Sequence, residues 1–231
     1  MTEEEKKEYI KYIQGIRHSF KTNYYLQSLK EIEKNKKEKP GHKPSLLLHV
    51  CCIVCACWPL EFLREHFDVT IIFNNSNIYP ESEYHKRFNE VKRYLHERYK
   101  DEIPIIELPY RQAEFIEKLR PRASDPEGWK RCFMCYEDRM VESYLYGEEH
   151  GFDYFTTVMT FSRQKNSQKI NQIGASLQEH FSKTKYFFSD FKKADGAKKA
   201  NELVQRYHIY RQDYCGCIYS YQEKIHHDKQ K

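Results

Sequence analysis

The segment SLLLHVCCIVCACWPLEFLREHF, residues 45–67, decides how the rest of the chain is read. SLLLHV (45–50) is a short, continuously apolar run, the pattern of a strand buried on both faces. WPLEFLREHF has helical spacing, with Pro59 placed in the first turn, where a missing N–H is tolerated. A strand passing directly into a helix opens a βαβ unit. Working outward, VTIIF (69–73), IPIIEL (103–108), FDYFTTVM (152–159) and KYFF (185–188) read as further strands. Helical periodicity fills the intervals: ESEYHKRFNEVKRYLHERY (81–99), RQAEFIEKLR (111–120), the stretch from Cys132 to a C′ glycine at Gly151, NSQKINQIGASLQEHF (166–181) and GAKKANELVQRYHIY (196–210). Strands alternating with helices of this length imply right-handed crossovers and a mainly parallel sheet.

Upstream, TEEEKKEYIKYIQGI and YYLQSLKEIEKNKK carry apolar residues at helical spacing, and KEKPGHKP (37–44) breaks the pattern. The expected organisation is a helical, basic N-terminal extension and linker over 1–44, then one α/β catalytic domain over 45–231. Lys36, Lys37, Lys39 and Lys43 of the extension are either a solvated face or an RNA-backbone contact.

Composition narrows the class. In 231 residues, 39% are hydrophobic and 32% charged, and the net charge of +5 permits nucleic-acid binding without demanding it. Mean hydropathy is −0.90, and no apolar run approaches the roughly 20 residues of a membrane span. MTEEEKKEYIKYIQ lacks the basic-then-apolar order of a signal peptide, so a cytoplasmic protein with no membrane partner is expected.

Eight cysteines fall into three clusters. Cys51, Cys52, Cys55 and Cys57 follow the first strand, at the sheet edge where open α/β folds bind ligands. Neither G-x-G-x-x-G nor G-x-x-x-x-G-K-[ST] occurs there; thiols stand where a phosphate loop would be. The positive end of the following helix favours thiolate. Cys132-Phe133-Met134-Cys135 places two sulfurs at a helix start, behind Lys130-Arg131, which favours thiolate further. Cys215-Gly216-Cys217 is too closely spaced for an unstrained disulfide; the choices are a strained, easily reduced pair or metal ligation. Clustered cysteines in such a chain point to metal or redox chemistry rather than structural disulfides. A four-thiolate iron–sulfur cluster and tetrahedral zinc both fit the spacing. Thiols in excess of either site favour redox work.

LLLHVCCIVC (46–55), NNSNIYPESEYHKR (74–87), RCFMCYEDRM (131–140), FDYFTTVMTFSRQKNSQKINQIG (152–174), DFKKADG (190–196) and YRQDYCGCIYS (210–220), in this order, resemble the cobalamin-independent epoxyqueuosine reductase family of the QueH type. The likeness runs from about Tyr24 to about Tyr221; Cys57, residues 1–23 and the tail IHHDKQK lie outside the pattern. The resemblance implies a three-layer, mainly parallel, Rossmann-like fold of the HUP type found in nucleotide hydrolases. It implies an oxidoreductase that removes the epoxide oxygen of epoxyqueuosine at the tRNA wobble position, in tRNAs for Tyr, His, Asn and Asp, without cobalamin and with a separate electron donor. It implies a [4Fe-4S] cluster on Cys51, Cys52, Cys132 and Cys135, with Cys55 as a possible further ligand, and a redox-active pair, Cys215 and Cys217. A second, mononuclear iron on Cys215 or Cys217, with Asp190 or Asp213, is the other use of that pair.

The departing epoxide oxygen needs a proton, and His49, Asp190, Asp213 and Tyr214 are the candidate donors. Asp190 and Asp213 alternatively serve as caps or pair with Lys192 or Arg211, and His49 as a core histidine. Asn74, Asn75, Asn77 and Tyr79 follow the second strand and would contact the modified base, or simply form the turn. Arg163, Lys165 and Lys169, with Arg131, Arg139 and Arg211, would form a basic rim for an anticodon loop. Tyr24, Tyr25, Tyr79, Tyr84, Tyr110, Tyr136 and Tyr214 are stacking platforms or packing residues. Two other functions compete: an iron–sulfur or thiol-based tRNA-modifying enzyme such as a sulfur transferase, and a zinc-stabilised RNA-binding protein.

Overall fold

The computed structural model describes residues 1–18 and 21–229. Its centre is the predicted strand, β1 (Ser45–His49), followed by β2 (Asp68–Phe73), β3 (Ile105–Glu107), β4 (Tyr154–Thr157) and β5 (Lys185–Tyr186). Among the described residues they form a five-stranded sheet, order β3-β2-β1-β4-β5, and every pairing is parallel. This is the doubly wound, Rossmann-like arrangement, with its switch point between β1 and β4.

Successive side chains of a strand point to opposite faces, so β1 feeds two cores. Leu46 and Leu48 join one cluster and Leu47 the other. All three are wholly buried, which is why the run is apolar without alternation. The first layer holds α3 (Ile53–Arg64), α4 (Glu81–Tyr99) and α8 (Gly196–Arg206). The opposite layer holds α5 (Gln112–Leu119), α6 (Lys130–Glu149) and α7 (Ser167–Gln178). Helices on both faces of the sheet make the expected three layers. Among the described residues no helix is long and apolar enough to cross a membrane.

The N-terminal helices are α1 (Glu3–His18) and α2 (Tyr24–Glu38), the second capped by Asn23. Ile32 of α2 belongs to the first core cluster, and Tyr154 donates to Glu31 at 2.5 Å. α1 lies against the start of α6 through Tyr12 on Trp129, ring centroids 4.7 Å apart, and Glu8 paired with Lys130 at 2.6 Å.

Several boundaries differ from those expected. α3 starts at Ile53, not Trp58, so Pro59 lies inside the helix. Lacking an N–H, Pro59 leaves the carbonyl of Cys55 without its helical donor. The fourth strand stops at Thr157, where a 3-10 turn (Val158–Phe161) begins, capped by the Thr157 hydroxyl. β3 and β5, the two edge strands, are shorter than their apolar runs. A last helix, α9 (Ile218–Asp228), was not apparent from the sequence. Gly151 has φ +72° just beyond α6, as its C′ assignment requires.

Candidate active site

The carboxyl edge of the sheet carries the chemistry. β1 ends at His49, whose Nδ1 lies 2.8 Å from the hydroxyl of Thr157 at the end of β4. Its Nε2 lies 3.1 Å from the carbonyl of Asn74, just beyond β2. His49 thus knits three strand ends together across the switch point. Burial first, then Arg139, pushes its pKa down to about 3. Buried and engaged at both ring nitrogens, it takes the place of a core histidine, the second of the two readings given above.

Cys51 and Cys52 follow, and Cys52 is the residue before the first turn of α3, which brings Cys55 round to the same side. The sulfurs of Cys51, Cys52 and Cys55 all lie within 4.8 Å of one another, and all three residues are buried. Sγ of Cys51 and Cys52 are 3.9 Å apart, and Gln212 donates to Cys52 Sγ at 3.0 Å. Hydrogen bonds from Cys52 and Cys55 pull the Cys51 thiol well below its ordinary range. The partnership with Cys51 pushes Cys52 up to about 11 and Cys55 upward as well. Cys57 points away, toward the carbonyls of Val54 and Ala200, and burial raises it to about 12.

Cys132 lies in the first turn of α6, accepting from the backbone N–H of Gly128 at 3.2 Å; Cys135 is one turn on. The thiolate expected at this motif is not what the fold favours. Burial raises Cys132 to about 11 and Cys135 to about 12. The neighbouring cations are engaged elsewhere: Lys130 pairs with Glu8, and Arg131 is buried and donates to the carbonyl of Ala123 at 2.7 Å. A metal that binds these thiols must displace their protons. Cys132 and Cys135 do not share the tight sulfur grouping of Cys51, Cys52 and Cys55. They do belong to the same electrostatic neighbourhood as Cys215 and Cys217.

Two cations, Arg139 buried and Lys165 half-buried, carry charge toward the cysteine clusters. Arg139 of α6 is 2% exposed; burial would lower it, but Cys135, Cys51 and Cys215 outweigh that and raise it. Lys165 sits in the same balance: burial opposes its charge, and Cys215, Cys51 and Cys55 restore it. Arg139 also donates to Asn75 Oδ1 at 2.6 Å. Asn75 itself donates to the carbonyl of Val50 at 2.8 Å. These bonds make Asn75 an internal brace rather than a free substrate contact. Asn77 is different: it is buried, and its Oδ1 has no hydrogen-bond partner.

The third cluster is a half-buried loop. Cys217 is the N-cap of α9, its Sγ accepting from the N–H of Ser220 at 3.5 Å. Tyr214 donates to the carbonyl of Tyr79 at 2.5 Å, and the N–H of Tyr79 donates to the carbonyl of Gly216 at 2.7 Å. The rings of Tyr79, Tyr214 and Tyr221 pack together at 5.3–5.4 Å.

A cleft of about 830 Å³ reaches Cys55 and is lined by Arg163, Gln164, Lys192, Lys198, Arg211 and Gln212 among others. A neighbouring cleft of about 620 Å³ shares Arg163, Gln164 and Lys192 and adds Lys165, Lys193 and Asp190. The basic rim therefore forms from the 163–165 loop, the 190–198 segment and Arg211. Arg131 and Arg139, expected on that rim, are instead buried, Arg131 against the 123–125 turn and Arg139 against Asn74 and Asn75. Asp190 is 7% exposed, accepts from Ser167 at 3.1 Å, and its Oδ1 has no hydrogen-bond partner. Lys192 stands 3.9 Å from that oxygen. Asp213 instead faces outward, 62% exposed, paired at 2.6 Å with Lys224, which pulls its pKa down. Of the candidate stacking rings, Tyr24, Tyr84 and Tyr136 are buried; Tyr25, Tyr79, Tyr110 and Tyr214 are half-buried. Sequence reasoning passed over Gln212, Lys193, Lys198 and Arg87, although each lies within a quoted motif or its adjoining helix.

A set of donors that is all sulfur, buried and flanked by cations fits a thiolate-bound metal or cluster. The model of the epoxyqueuosine reductase QueH family matches residues 46–223. The epoxyqueuosine reductase QueH of Streptococcus pyogenes is 39% identical over 186 residues, 79% of this chain and 72% of that protein. That of Staphylococcus epidermidis is 36% identical, covering 79% of each chain. That of Thermotoga maritima is 30% identical over 78% of this chain and 92% of its own length. A match of this extent, with all three cysteine clusters inside it, places the chain in the QueH family of epoxyqueuosine reductases.

Proposed function

We propose that this chain, an oxidoreductase by its family, reduces the epoxide of epoxyqueuosine in tRNA to the cyclopentene of queuosine. The observation that carries this reading is the gathering of three buried sulfurs around Lys165 and Arg139, with the Cys215–Cys217 loop beside them. Cys51, Cys52, Cys132 and Cys135 would hold a [4Fe-4S] cluster, with Cys55 close enough to Cys51 and Cys52 to substitute for one of them. When bound, such a cluster supplies one-electron transfer and Lewis acidity. The cysteine pair accounts for the electrons: two S–H bonds break, one S–S bond forms, both epoxide C–O bonds break, and the oxygen leaves as water with the two protons. A separate electron donor then returns the pair to the dithiol.

Lys165 and Arg139 favour negative charge at this point of the sheet, which includes a developing alkoxide. Asp190, buried and 3.9 Å from Lys192, is the candidate proton donor nearest the cleft. Asp213, ionised beside Lys224, is suited to hold the loop's outer edge. Arg163 and Arg211 face the cleft and suit the backbone of a single-stranded anticodon loop. Tyr79 and Tyr214, which pack beside the Cys215–Cys217 loop, and Asn77, with its unpartnered Oδ1, are the candidates to contact the modified base. The pair has an alternative use, as ligands with Asp190 or Asp213 to a mononuclear iron.

Iron, zinc and acid-labile sulfide per chain, measured on protein purified without oxygen, test the reading together with turnover of epoxyqueuosine tRNA. About four irons with matching sulfide are expected for one cluster. An excess of iron over sulfide would indicate the mononuclear site. Zinc without sulfide, and no turnover, would overturn the proposal in favour of a zinc-stabilised RNA-binding protein.

A further inference from the structure

Arg87 is 2% exposed on α4, 128 residues from the loop it grips. Its Nε donates to Glu83 Oε1 at 2.7 Å, one turn earlier on the same helix. Nη1 donates to the carbonyl of Cys215 at 3.1 Å and Nη2 to that of Tyr214 at 3.4 Å. The guanidinium also lies 5.4 Å from the centre of the Tyr214 ring. Glu83 in turn accepts from the hydroxyl of Tyr210 at 3.1 Å, tying down the segment that enters the loop. The loop fits the clamp closely. Gly216 has φ +128°, and a Cβ there would stand 2.9 Å from Arg87 Nη1. A planar fork with several donors can hold Glu83 and two carbonyls at once; an ammonium cannot match that geometry.

We propose that Arg87, held by Glu83, is the positioning residue of the Cys215–Cys217 pair. It fixes the loop carbonyls so that both thiols stand at the cysteine site, and without it the loop opens while the rest of the fold persists. The inference rests on the reading that this pair works in the reaction.

The test uses full-length protein purified without oxygen, as Arg87→Lys and, from the loop side, Gly216→Ala. Three quantities are read: iron and sulfide per chain, the alkylation rates of Cys215 and Cys217 by iodoacetamide followed by peptide mass spectrometry, and single-turnover reduction of the tRNA with its KM. Both variants should keep their iron and sulfide, alkylate the pair about tenfold faster through local opening, and lose turnover with KM within about twofold. If Arg87→Lys folds with its iron and leaves alkylation and turnover unchanged, the proposal fails. If Arg87→Lys does not fold, Gly216→Ala decides, and an unchanged alkylation rate there overturns it. Faster alkylation with full turnover would refute the underlying role of the pair while leaving the clamp itself intact.

Discussion

The Cys51–Cys52–Cys55 group and the Cys215–Gly216–Cys217 loop are built from the same residue type in opposite ways. The first hangs from the middle strand of the sheet and the opening turn of α3, and all three of its cysteines are buried. Its geometry is set by the main chain of the core. The second is half-buried, has no strand behind it, and depends on side chains: Arg87, Glu83 and the Tyr79–Tyr214 contacts. A site that must hold a metal gains from rigidity, since ligands kept in place lose little entropy on binding. A site that must alternate between dithiol and disulfide has to move, and mobile elements come from the less stable parts of a fold.

The sharpest way to break this contrast is a pair of substitutions. Cys52→Ala should lose iron and sulfide and drop turnover by at least about a thousandfold, because a missing ligand costs binding energy as well as chemistry. Cys217→Ala should lose turnover to a similar degree yet keep its iron and sulfide. Metal analysis beside single-turnover kinetics decides; equal iron loss in the two variants would mean that both regions are ligand sites and the contrast is false.

A smaller effect sharpens the picture of the rim. Lys193→Glu and Lys198→Glu lie in the two clefts but away from the sulfurs. Each should weaken tRNA binding and reduce the slope of log affinity against log salt by about 0.7, the value for one contact to single-stranded phosphate. Filter binding across a salt series reads this directly, and slopes equal to the parent's would move the RNA to another face. The smallest effect is expected at Cys57, buried in the core with its thiol turned to the carbonyls of Val54 and Ala200. Cys57→Ala should cost about 1 kcal/mol of stability, as loss of one small buried group does, with iron and turnover unchanged. Denaturant midpoints and metal content check it; lost iron would show that Cys57 takes part in the site.

The parallel sheet was legible because its strands are buried on both faces, and an apolar run such as SLLLHV has few other places to go. Helix starts were harder: α3 begins at the thiols rather than at Trp58, since Pro59 inside a helix contradicts the local rule that placed it in the first turn. The final helix escaped notice because only Ser220 among its described residues is buried, leaving little apolar periodicity to read.

The cysteine clusters could be named from the sequence, since thiol spacing and motif order are local properties of the chain. The charge state of those thiols could not. Lys130 and Arg131 adjoin Cys132 in sequence, yet one is drawn to Glu8 and the other to the 123–125 turn, so burial prevails. In the same way Arg139, read as a surface contact for RNA, lies beneath the site and braces Asn75. Sequence alone determined the strands of the sheet, the helices between them and which residue types meet the sheet's carboxyl edge, because periodicity and turn chemistry act over a few residues. Only the tertiary structure decided which charges face which sulfurs and that Arg87 reaches the Cys215 loop, because those energies depend on distance and burial between segments more than a hundred residues apart.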